Sequence, residues 1–97
     1  FSRDKDVQVR KVVAQRLPDV SLGLMVDDEA PEVRRILAER MSPKDVVSLL
    51  QDSDWVVRYT VAERVIPEAL ACLINDPEPD VRAAVQARLK SEGINHG

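Results

Sequence analysis

The chain is poor in the side chains that most often carry chemistry. It has one cysteine, Cys72, and one histidine, His96. A single cysteine forms no internal disulfide, and four-cysteine or mixed Cys/His metal spacings are ruled out. No Gly-x-Ser-x-Gly motif is present, and no Asp-x-Asp-x-Asp-Gly loop of the kind that binds calcium. Nothing in the sequence supports nucleophilic or metal catalysis, so no enzyme is expected. The aromatics are Phe1, Trp55 and Tyr59, too few to stack the bases of a single strand. A net charge of −3 and a pI near 5.1 argue against nucleic acid as the main partner. No apolar run is long enough to cross a membrane and there is no signal peptide, so a cytoplasmic protein is expected.

What the chain does have is a period. Arginine stands at 10, 34, 58 and 82, and again at 16, 40, 64 and 88. The interval is 24 residues each time, and these two phases hold eight of the ten arginines. Asp4, Asp28, Asp52 and Asp76 keep the same interval. So do Val9, Val33, Val57 and Val81, then Val13, Leu37, Val61 and Val85, then Ala14, Ala38 and Ala62. A fixed period over nearly the whole chain means a stack of similar units rather than one closed globule. The 97 residues form a single repeat domain. Its units run 4–27, 28–51 and 52–75, with a partial C-terminal capping unit at 76–92 and a tail at 93–97.

Each unit holds two helical stretches. In the first, Val33, Leu37, Ala38 and Met41 mark one face of an amphipathic helix. Acids and Pro31 or Pro79 precede or open it, as a helix N-terminus favours. Ser42-Pro43 and Ile66-Pro67 announce the second, with Val46, Leu49 and Leu50, or Leu70, Leu73 and Ile74, as its apolar positions. Nothing alternates with the period of a strand. Helix–turn–helix repeats usually need about 33 to 47 residues. In 24 residues the shorter helix is expected to be a 3₁₀ segment. Helices so short are not stable alone in water. Stacking must hold them, in a rod on the order of 40 Å at about 10 Å per unit. Pro18 comes one residue early and Gly23 falls within the second helix of the first unit, so weak helicity is expected near 19–26. Gln86 takes the phase of Ala14, Ala38 and Ala62, as a polar cap would. Gly93 is placed to terminate the last helix. A native C-terminus and a stack that continues upstream of Phe1 are the corresponding expectations.

The pattern Asp-x-x-x-x-Val-Arg-x-x-Val-Ala-x-Arg-Leu, then Pro-x-x-Leu-x-x-Leu, is clearest over Asp52 to Ile74: Val57-Arg58, Val61-Ala62-Glu63-Arg64, Pro67-Glu68-Ala69-Leu70, Leu73-Ile74. It resembles the leucine-rich repeat variant family, over roughly residues 4 to 90. The resemblance implies an all-α, right-handed superhelical solenoid of short α and 3₁₀ helix pairs. Some family members, from nitrogen-fixing bacteria, carry a four-iron, four-sulfur cluster on a cysteine-rich segment ahead of the repeats. That cluster needs four thiolates, which this chain does not have. No cofactor is therefore expected in this chain, and an upstream cluster would belong to a longer protein.

Candidate functional residues follow from the columns. Arg34, Arg58 and Arg82 would line one edge of the rod, either as a positive stripe for a partner or bonded to loop aspartates and helix-end carbonyls. Arg10, Arg16, Arg40, Arg64 and Arg88, with Asp28, Asp52 and Asp76, read as a structural ladder. The second arginine column lies near helix C-termini, where cations complement the dipole. Trp55 replaces Pro31 and Pro79 of the adjoining units; it is either an exposed anchor for a partner or a cover laid on the rod. Tyr59 falls at a surface phase and is expected to be half-exposed beside Trp55 or Arg35. Cys72, among apolar neighbours, is expected to be buried and inert. These features favour a non-catalytic scaffold with another protein as partner and no membrane contact; the alternative that the resemblance implies is the repeat portion of an iron–sulfur protein associated with nitrogen fixation, and nucleic-acid binding through the arginine columns is a further, less favoured reading.

Overall fold

The computed structural model describes residues 6–93, and His96 lies outside them. Four α-helices, α1 (Val7–Arg16), α2 (Pro31–Arg40), α3 (Trp55–Arg64) and α4 (Pro79–Ser91), alternate with three 3₁₀ segments, η1 (Asp19–Met25), η2 (Asp45–Leu49) and η3 (Pro67–Leu73). No strand occurs among the described residues. Successive α-helices begin at 7, 31, 55 and 79, one period apart. Each packs on the next, α1 on α2, α2 on α3 and α3 on α4, and each 3₁₀ segment packs on the α-helix of the following unit. The molecule measures 49 × 25 × 14 Å, a rod.

Local chemistry sets the boundaries. Pro31 and Pro79 occupy the first helical position, where a missing N–H costs nothing. Leu17, Met41 and Val65 then leave the helix in extended backbone (ψ 141, 148 and 157), each donating its N–H to the carbonyl four residues back. A proline after a residue pushes that residue out of the helical region. Pro18 therefore suits Leu17, which has to be extended anyway.

The weak helicity expected near 19–26 is not found. η1 is a full 3₁₀ segment, because Leu22 and Met25 are buried and anchor it. Gly23 is exposed, and a Cβ there would meet nothing. At the other end Gly93 takes φ 75, the left-handed conformation glycine adopts most readily after a helix.

The core repeats with the sequence. Val33, Leu37 and Ala38, then Val57, Val61 and Ala62, are fully buried, and so are Val81 and Val85. From the 3₁₀ segments come Leu22 and Met25, Val46 and Leu49, Leu70 and Leu73, each pair three residues apart. A helix with three residues per turn buries one such row and turns the intervening positions outward. Leu24, Ser48 and Cys72 occupy one of those outward phases, and all three are exposed. The burial expected of Cys72 is thus corrected: its apolar neighbours are buried, but the 3₁₀ geometry points its own side chain away. Val9 departs from its column, at 41% exposed where Val33, Val57 and Val81 are fully buried, because no described residue packs over that face of α1.

Candidate functional site

The first arginine column binds forward. Arg10 donates from Nε and Nη2 to both oxygens of Asp28 (2.9 and 3.2 Å), and Arg34 does the same to Asp52 (2.8 and 3.1 Å). Arg58 does so to Asp76 at 2.7 and 3.1 Å. These are two-pronged guanidinium–carboxylate pairs, the strongest form of the ion pair. Each aspartate also accepts the backbone N–H two residues on, from Ala30, Asp54 or Glu78 (2.9 Å each), and so shapes the turn ahead of the helix. The third nitrogen reaches back into the arginine's own unit: Nη1 of Arg34, Arg58 and Arg82 donates to the carbonyl oxygens of Asp28, Asp52 and Asp76 at 2.6, 2.8 and 2.6 Å. Hydrogen bonding to Asp52 and to Asp76 raises the pKa of Arg34 and Arg58 above the usual guanidinium value, against the burial that opposes it. Burial works against ionisation of Asp76, but the bonds from Arg58 and the Glu78 amide outweigh it, and the Asp76 pKa falls below the ordinary carboxylate value.

The second column binds backward. Arg40 Nη1 donates to the carbonyl oxygens of Ala14 and Leu17 (2.9 and 2.7 Å), and Nη2 to Asp19 (2.8 Å). Arg64 caps Ala38 and Met41 (both 2.6 Å), and Arg88 caps Ala62 and Val65 (3.1 and 2.9 Å). The last carbonyls of a helix have no partner within it. Here the next unit's arginine supplies one. The cations therefore act on the preceding helix rather than on the helix that carries them.

Of the two readings the sequence left open, Arg34 and Arg58 take the second: they do not form a stripe open to a partner but bond loop aspartates and carbonyls. Their side chains are 11% and 14% exposed and their donors are bonded within the stack. Arg82 differs. It is exposed, and its Nε and Nη2 face no carboxylate among the described residues. Of the acids ahead of the helices, Asp28, Asp52 and Asp76 pair with arginines, and Asp6 caps α1 by accepting the Gln8 N–H. Asp54 does both, accepting from the Val57 N–H and pairing with Arg35 at 2.8 Å. The Arg35 bond is the main reason its pKa is lowered.

Trp55 and Tyr59 sit together on the outer face of α3, edge to face, with ring centroids 6.4 Å apart at 81°. Trp55 opens the helix where its neighbours have proline, and it is 41% exposed. Tyr59 is half-exposed, and the charge of Glu63 is the main cause of its raised pKa, ahead of desolvation and a hydrogen bond to Glu63. Beside them lies a groove of about 460 Å³ between α3 and α4, lined by Tyr59, Glu63, Ala83, Ala84, Ala87, Arg88 and Ser91. The sequence reading did not single out this groove. Its only trace there is a change of residue type at fixed phase: Tyr59, Thr60 and Glu63 become Ala83, Ala84 and Ala87 one period later.

No group of three or more His, Cys, Asp or Glu is placed to hold a metal ion among the described residues. The four-thiolate cluster implied by the resemblance does not fit this chain, whose single cysteine is the exposed Cys72. No described helix is long and apolar enough to cross a membrane.

Short α and 3₁₀ helices stacked one period apart and tied by arginine in both directions define a helical-repeat solenoid. Among solved structures the chain is similar to one described as a leucine-rich repeat variant with a novel repetitive protein structural motif, at 53% identity over 92% of this chain and a TM-score of 0.85. The chain belongs with the leucine-rich repeat variants. It spans 38% of the length of that structure's chain. No family model matches the chain, and no curated protein matches it.

Proposed function

We propose that the rod is a non-catalytic scaffold that binds another protein. The observation that carries this reading is the Trp55–Tyr59 pair on the outer face, a large aromatic surface held half out of water by a stiff helix. Exposed tryptophan and tyrosine are the side chains most often found at the energetic centre of protein interfaces. The arginine columns support the same reading by their unavailability. With Arg34, Arg58, Arg40 and Arg64 bonded within the stack, the two columns do not present a continuous row of free guanidinium groups to phosphates. The test is recovery of partners from the source organism, by crosslinking and mass spectrometry, with the parent chain, Trp55→Ala and Arg82→Glu. Loss of the same proteins from Trp55→Ala supports the scaffold reading. An unchanged set in both variants overturns this surface as the binding surface.

A further inference from the structure

The α3–α4 junction differs from the α2–α3 junction on one face. Between α2 and α3 the outer face is crossed by the Arg35–Asp54 ion pair, and the floor positions hold Tyr59, Thr60 and Glu63. One period later the pair is replaced by Tyr59 and Glu78, which form no salt bridge, and the floor becomes Ala83, Ala84 and Ala87. The face that is covered in one junction is open in the next, and the opening is the groove of about 460 Å³.

Its unpaired charge is negative. Glu63 lines the groove, and Asp80 lies close enough to act electrostatically on Tyr59. Neither carboxylate joins an ion pair among the described residues. The cation that lines it, Arg88, is already bonded to Ala62, Val65 and Glu92. The groove therefore offers an apolar floor, the Tyr59 ring on one wall with Trp55 packed against it, and a Glu63 carboxylate that joins no ion pair among the described residues. A cation held over an aromatic face is attracted to it, and more so beside a carboxylate.

We infer that this groove receives a cationic amphipathic peptide segment of a partner protein. An aliphatic side chain rests on Ala83, Ala84 and Ala87. A lysine or arginine lies against the Tyr59 ring with its charge towards Glu63. This inference rests on the scaffold reading, and it names the face and the partner's chemistry.

The probe is a synthetic amphipathic peptide of leucine and lysine, with the same peptide carrying glutamate for lysine as control. Amide shift changes in the isotope-labelled protein locate binding, and calorimetry gives the Kd. The expected result is shifts centred on Tyr59, Glu63, Ala83 and Ala87, and none from the glutamate peptide. Ala83→Tyr and Ala87→Glu restore the residue types of the preceding unit, which fold in that context. They should close the groove and weaken binding by about tenfold or more. Ala87→Glu is the sharper of the two. Unspecific attraction to an acidic protein would tighten binding with the added charge, whereas a filled groove loosens it. Unchanged or tighter binding to Ala87→Glu, or shifts centred elsewhere, overturns the inference. If it fails while Trp55→Ala still loses crosslinked partners, the scaffold reading survives on another surface. If both experiments fail, both readings fall.

Discussion

Near the N-terminal ends of α1, α2 and α3, Arg10, Arg34 and Arg58 each grip the next unit's aspartate with two nitrogens; near the C-terminal ends of α2, α3 and α4, Arg40, Arg64 and Arg88 each reach two carbonyl oxygens of the preceding unit. The residue type and the 24-residue spacing are identical in the two columns. The partners decide how the two ends respond to their surroundings. The carboxylate end places two opposite charges in a half-buried setting, so removing either one strands the other. The carbonyl end places one charge against a helix terminus whose dipole already favours it, and at Arg64 the acceptors are carbonyls alone, which cannot titrate. The same guanidinium is thus half of a mutually dependent pair at one end and a simple fastener at the other.

Breaking the carboxylate end should have the largest effect. Arg58→Met leaves Asp76, with a side chain only 4% exposed, without its cation. A loss of about 3 kcal/mol is expected in urea unfolding. Arg58→Met combined with Asp76→Leu should recover most of it, since an apolar pair can replace a buried ion pair at little cost. A single variant within about 0.5 kcal/mol of the parent would show that water substitutes freely for the arginine.

Acid should separate the two ends next. The pKa values of Asp76 and Asp54 are lowered in the folded chain. Their contribution is present above the unfolded aspartate pKa of about 3.9 and is lost as pH falls through the lowered folded values. Thermal stability should therefore fall steeply below about pH 4. The fall should be shallower in the Arg58→Met/Asp76→Leu double variant. If the two slopes coincide, the Asp76 pair does not contribute to acid sensitivity.

A smaller loss is expected at the carbonyl end. Arg64→Met removes the donor to Ala38 and Met41 and should cost about 1–2 kcal/mol, with no added dependence on pH. The smallest loss belongs to Arg82→Met. Among the described residues its side chain makes a single hydrogen bond, to the Asp76 carbonyl, and about 0.5 kcal/mol is expected. A larger cost for Arg82→Met than for Arg58→Met would reverse the comparison, because it would place the stabilisation outside the two-pronged pairs.

The period, the helix pairs and the buried columns could be read from the residues, because burial in a stack repeats at the interval of the stack. The kind of partner each arginine takes, a loop aspartate or a helix-end carbonyl, could be read as well; which residue it is could not. Arg34 and Asp52 are 18 residues apart, and Arg64 and Ala38 are 26 apart. Neither offset is a multiple of the period, so neither shows as a column. Which offset applies depends on how far the chain climbs between units, and that is a property of the packed rod. Cys72 was misjudged for a related reason. Apolar neighbours suggest burial in an α-helix, but at three residues per turn Leu70 and Leu73 are enough to fill the inner row. The groove was hidden for the opposite reason. Its three alanines look like ordinary helix surface until the side chains they replace in the preceding unit are set beside them.

The two-way fastening also bears on how such a chain can change length. Every internal unit brings a donor for the neighbour ahead, a donor for the neighbour behind, and the acceptors that both neighbours require. Duplicating or deleting a whole period in the gene therefore leaves no fastening unmatched at the seam, wherever the seam falls. An insertion one codon longer or shorter would mismatch the charges and the apolar rows together. Growth by whole modules is the route this architecture leaves open.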